Sequence, residues 1–212
     1  MADPDPNPNL DRPQIYLITP LAFEPEVFAP QLGVLLDSIE IACVRLALGA
    51  EDEDSLARAA DQCREVAHAR DVPLVIERHI QLVERLGLDG VHLTDGSRSV
   101  RATRKTLGAD AILGTYCAGS RHDAMSAAES GADYVSFGPV GQSGLGDGTI
   151  AEHELFGWWS QMIEVPVVAE GALDQTLIET FAPVADFFAI GPEIWRSDDP
   201  LAALRDLTAP LR

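Results

Sequence analysis

From Ile15 onward, short apolar runs alternate with longer stretches whose apolar residues recur at helical spacing. The runs are IYLIT (15–19), IACVRLAL (41–48), PLVI (73–76), GVHL (90–93), AILGT (111–115), YVSFG (134–138), PVVA (166–169) and FFAIG (187–191). Near-continuous apolar runs of this length are the pattern of strands buried on both faces. Between them lie candidate helices at 54–69, 80–86, 120–130, 151–163 and 174–181, several opened by Ser or Asp at the N-cap. Every connection is long enough for a crossover helix, so the strands are expected to be parallel neighbours. Eight such units in about 200 residues predict a (β/α)8 barrel. An open doubly wound sheet would share this local pattern. No G-x-G-x-x-G follows the first run, where ITPLAFEP stands instead, and this favours the barrel. No repeat or linker interrupts the chain. One barrel domain is therefore expected over 14–212, behind a flexible tail at 1–13 whose Pro, Asp and Asn have almost nothing to bury.

Composition narrows the functional classes. The 212 residues are 46% apolar, enough for one sizeable core, and no apolar run approaches the roughly 20 residues of a membrane span. The N-terminus is acidic and proline-rich where a signal peptide would be basic and then apolar, so the cytoplasm is the expected compartment. Cys43, Cys63 and Cys117 are too scattered for a disulfide framework or a zinc pattern and are read as reduced thiols. Fifteen basic against 34 acidic residues give a net charge of −19, which disfavours nucleic acid and anionic membranes as partners. Lys105 lies in a polar, helix-like stretch, unlike the desolvated lysine that Schiff-base chemistry needs.

In a barrel the chemistry sits at the C-terminal ends of the strands. There the sequence places Arg45, Arg78, His79 and His92. Arg45, Arg78 and His92 are the candidate catalytic set, expected to face one cavity suited to a small anion, whereas His79 reads as the start of an exposed helix. His92 also admits the reading of a hydrogen-bonded core histidine. The segment 138–148, GPVGQSGLGDG, can bring backbone N–H groups to a phosphate. With the glycines after the seventh and eighth runs it gives the candidate ligand residues Gly138, Ser143, Gly171, Ala172 and Gly191. Glu77 and Asp95 are weak candidates for a divalent cation, and ion pairing with nearby arginines is their commoner fate. Trp158 and Trp159 read as cover for the barrel or for a contact with a second copy of the chain, so a homodimer is a candidate assembly.

The segments LGLDGVHL (86–93), GADYVSFGPV (131–140) and PVVAEGAL (166–173), with the later ADFFAIGPEIW, resemble the thiamine phosphate synthase/TenI family over nearly the whole chain after the tail. The resemblance implies a (β/α)8 barrel and a small phosphorylated heterocycle as ligand. It also implies coupling of thiazole phosphate to a pyrimidine diphosphate through a stabilised pyrimidine cation, with Mg2+ on the pyrophosphate. Position by position, Arg45-Leu46-Ala47-Leu48-Gly49 stands where the family carries Gln-Leu-Arg-Glu-Lys, and Glu77-Arg78-His79 where it carries Asn-Asp-Arg. Ser97 replaces an aspartate, 142–146 lacks the family's lysine, and Pro139 stands where the tautomerase branch has histidine. Gly171 and Gly191 are kept, with Ala172 in place of a second glycine. The expectation is a divergent family barrel that binds a thiamine-pathway or related heteroaromatic phosphate. The competing class is a non-catalytic binding or regulatory barrel.

Overall fold

A computed structural model of the chain describes residues 12–49 and 52–212. Eight strands, β1 (Gln14–Ile18), β2 (Cys43–Leu46), β3 (Leu74–Glu77), β4 (Gly90–Leu93), β5 (Ile112–Tyr116), β6 (Tyr134–Phe137), β7 (Val167–Glu170) and β8 (Phe187–Ile190), close in sequence order into one barrel. All neighbours are parallel. Closure is made by β1 on β8, with Ile15 opposite Phe188 and Leu17 opposite Ile190. The eight apolar runs all become strands, but β3 and β7 end one residue later than PLVI and PVVA indicate. Glu77 and Glu170 therefore belong to strands. Of the expected tail, only Arg12 and Pro13 lie within the described residues.

Helices cover the outside: α1 (Pro25–Ser38), α2 (Glu53–His68), α3 (Ile80–Leu86), α4 (Val100–Leu107), α5 (Arg121–Glu129), α6 (His153–Met162), α7 (Gln175–Phe181), α8 (Pro192–Trp195) and α9 (Pro200–Leu207). The candidate helix segments map onto α2, α3, α5, α6 and α7. Helix α1 carries Pro30 in its interior, a residue that argues against a helix from sequence alone. Burial of Phe28, Leu32 and Leu35, spaced by four and three residues, holds it to the barrel. Trp159 is buried against Phe137 and gives its indole N–H to the carbonyl of Val165, so it covers the barrel wall. No helix among the described residues is long and apolar enough to cross a membrane.

One device recurs where the strands begin. The residue before or just before β4, β6 and β8 is an aspartate, and its carboxylate accepts from the N–H that opens or nearly opens the preceding odd strand. Asp89 takes Leu74, Asp133 takes Leu113 and Asp186 takes Val167, each at 2.7 Å. Asp89 also meets His68, and Asp133 meets Arg104. Each carboxylate satisfies a backbone donor at the foot of the barrel and fixes the stagger of two strands. Asp186→Ala should cost about 1–3 kcal/mol, the usual worth of a hydrogen bond to a charged acceptor, and urea denaturation measures it. An unchanged midpoint would remove the device from the account.

Candidate functional site

Alternation along each strand divides the side chains between the outer wall and the lumen. Tyr16, Cys43, Val75, Tyr134 and Val168 form one buried cluster within the barrel. Gly114 on β5 makes room for it, since a Cβ there would stand 1.9 Å from Cζ of Tyr134. Two residues further along the same strands, toward their C-terminal ends, the sequence turns polar: Arg45 after Cys43, Glu77 after Val75, Ser136 after Tyr134 and Glu170 after Val168. This polar layer is the candidate site.

Its centre is a buried ion pair. Arg45 Nη2 lies 2.7 Å from Glu170 Oε2, while Glu170 Oε1 accepts from Ser136 Oγ at 2.7 Å. Glu77 Oε2 stands 4.0 Å from Arg45 Nε, and the guanidinium lies 5.7 Å from the ring centre of Tyr16. Burial works against the charge on Arg45, yet Glu170 above all, with Tyr16 and Tyr134, holds the guanidinium above its ordinary pKa. Arg45 is thus a charge already matched from within the barrel.

A second chain of polar contacts runs beside it. His92 Nδ1 is 2.9 Å from the Tyr134 hydroxyl, which is 2.6 Å from the Tyr16 hydroxyl. Burial, and then the nearby Arg45, push the imidazole well below its ordinary pKa, so His92 is neutral at pH 7. His92 Nε2 and Arg45 Nε are buried with no hydrogen-bond partner among the described residues. Burial also raises the Tyr16 and Tyr134 phenols, which stay protonated. The sign of the linkage follows from the histidine shift. Below about pH 6.5 the unfolded chain protonates this histidine while the folded chain resists, so stability is present above that pH and falls as the solution is acidified. Denaturation midpoints from pH 7 to 5 should fall in the parent and fall less in His92→Gln. Equal slopes would show that His92 titrates normally.

The structure separates the three residues expected to share a cavity. Arg45 and His92 are buried in the lumen, whereas the Arg78 side chain is 61% exposed and lies 3.3 Å from the carboxylate of Glu77. The cause is backbone. Arg78 takes φ +67° at the end of β3, and this turn carries its side chain out to the rim before α3 begins. His79 precedes α3 without a side-chain capping bond, as expected for an exposed helix start.

The candidate ligand loops gather after β6, β7 and β8. Gly171 takes φ +93°, and a Cβ there would stand 2.8 Å from Pro139, so this close approach of two loops requires glycine. Ala172 follows in the left-handed region, at φ +54°. The Gly138 carbonyl accepts from the Tyr116 hydroxyl at 2.6 Å, and Ser143 Oγ accepts from the Leu145 N–H. Beyond them the N–H groups of Leu173 and Gly191 converge on one carboxylate, that of Glu193, at 3.2 and 2.9 Å.

The Mg2+ implied by the resemblance does not fit a site built by this chain alone. Glu77 is engaged by two arginines, and Asp95 Oδ2 accepts from the Ser99 hydroxyl while its Oδ1 is buried without a partner among the described residues. Among the described residues no three His, Cys, Asp or Glu side chains come together as ligands. The three cysteines are free and buried, with burial as the leading cause that pushes each thiol up to about 12. Sequence reasoning missed the roles of Glu170, Ser136, Tyr134 and Tyr16. Their signal was the period of two from Cys43 to Arg45, Tyr134 to Ser136 and Val168 to Glu170.

A closed parallel barrel with its polar layer and loop donors at the C-terminal ends of the strands defines the (β/α)8-barrel class that builds its sites at that mouth. The fold is similar to that of a thiamine phosphate pyrophosphorylase from Pyrococcus furiosus, with a TM-score of 0.81 at 18% identity over 97% of this chain and 98% of that one. A family model described as thiamine monophosphate synthase matches residues 15–191. A thiamine-phosphate synthase of Rhodospirillum centenum is 40% identical over 94% of this chain and 98% of its own length. One of Erythrobacter litoralis is 37% identical over 89% and 91%. The chain belongs to the thiamine monophosphate synthase family.

Proposed function

We propose that this chain binds a phosphorylated heteroaromatic compound of the thiamine pathway at the mouth of its barrel, in the cytoplasm, with residues 14–212 as one folded unit. The observation that carries the reading is the convergence of two backbone donors, from the loops after β7 and β8, on a single anionic group. Loops that hold a carboxylate in this way offer the same donors to a phosphate. The heterocycle would lie over the polar layer, where the unpartnered His92 Nε2 and Arg45 Nε supply hydrogen-bonding positions and no net positive charge. Coupling of thiazole phosphate to a pyrimidine diphosphate is slow in this reading, because Arg45 is spent on Glu170 and Arg78 stands at the rim.

The names of the relatives favour a second reading, full synthase activity. Thermal shift against thiazole phosphate, thiamine phosphate and pyrimidine diphosphate, followed by a product assay, separates the two. Stabilisation with little product supports binding as the main property. No stabilisation by any of the three overturns the proposal.

A further inference from the structure

Glu193 occupies the place that the reading above gives to the ligand's phosphate. Its Oε1 accepts from the Leu173 N–H, beyond β7, and its Oε2 from the Gly191 N–H, at the end of β8. The two donors come from different loops, so the carboxylate bridges them as two oxygens of a phosphoryl group would. No Arg, Lys or His stands within ion-pair distance of Glu193 among the described residues. Glu170, at the end of β7, is by contrast matched by Arg45. Glu193 is therefore an unneutralised anion on the donors a phosphate would need, in a chain whose net charge is −19.

We infer that Glu193 is a specificity-determining residue: its carboxylate is an internal competitor for the phosphate, and a phosphorylated ligand enters only by displacing it. The inference rests on the proposed phosphate-binding reading and adds to it a discrimination. The two N–H groups cannot serve the carboxylate and a phosphate at once, and two anions left side by side repel. An uncharged alcohol of the same heterocycle carries no such conflict. The wild-type chain should thus favour the phosphorylated ligand over its alcohol much less than an open seat would. Glu193 is half-buried, so the displaced carboxylate can turn to water.

Isothermal titration with inorganic phosphate, thiazole phosphate and the thiazole alcohol tests this on wild type, Glu193→Gln, Glu193→Ala and Glu179→Gln. The last removes one exposed negative charge from α7, away from the seat. Inorganic phosphate and thiazole phosphate should bind Glu193→Gln and Glu193→Ala about tenfold more tightly or better, with the alcohol and Glu179→Gln unchanged. No gain in either variant, or an equal gain in Glu179→Gln, overturns the inference. If both variants fail to fold, the wild-type amide resonances decide. Leu173 and Gly191 should shift together as phosphate is added, and phosphate binding that leaves them still overturns it. If inorganic phosphate shows the gain while thiazole phosphate binds no chain, Glu193 keeps its role and the proposed ligand falls. If thiazole phosphate binds all four chains equally, the ligand stands and the role of Glu193 falls.

Discussion

Glu170→Ala is expected to destabilise the fold by about 3–5 kcal/mol, because it leaves the Arg45 guanidinium buried without its partner. The Ser136 hydroxyl loses its acceptor in the same change. The double variant Arg45→Met/Glu170→Met should recover most of the loss, since an apolar pair of similar volume carries no buried charge. Denaturation of the parent, Arg45→Met, Glu170→Met and the double variant gives the coupling directly. A Glu170→Ala protein as stable as its parent would mean that the lumen is wet enough to solvate Arg45, and the account of a dry, matched charge would fail.

The second large effect is chemical. With thiazole phosphate and the pyrimidine diphosphate at saturating Mg2+, the purified protein is expected to turn over on the order of 10⁴-fold or more slowly than a synthase carrying the Gln-Leu-Arg-Glu-Lys run. Each missing transition-state contact costs about 10²-fold or more, and the proposed reading has several of them replaced. Arg45 is held by Glu170, Arg78 lies on the rim, and Ser97 stands where the resemblance implies an aspartate. Synthase-like rates would refute the slow coupling of the proposed reading and make the relatives' name the better description of this chain.

The strands were legible because parallel strands covered on both sides leave unbroken apolar runs, and the barrel because eight runs with helical spacers close most simply on themselves. The lumen was less legible. In sequence Glu170 is a bare charge after an apolar run, since nothing in PVVAEG says that an arginine 125 residues earlier meets it. Arg78 looked like a partner of Arg45 because residue order places both at strand ends. The left-handed backbone at Arg78, which sets its direction, has no marker in a non-glycine residue. Nothing in the sequence singles out Glu193, because its grip on two loops depends on how β7 and β8 are spliced. α1 was hidden by Pro30, whose cost is outweighed by three buried side chains.

The pairing of Arg45 with Glu170 also bears on the order in which a nascent chain can assemble. A ribosome that has delivered six of the eight strands has supplied the arginine and not Glu170, its closest counter-charge, and β1 still lacks the edge of β8. Such an intermediate would hold a cation without its nearest counter-charge and two open sheet edges. It gains little by compacting early, because contacts distant in sequence reward the chain only after the loop between them has closed. The barrel is thus expected to lock after synthesis of β7 and β8, and chains truncated before residue 170 should be aggregation-prone intermediates rather than smaller stable domains.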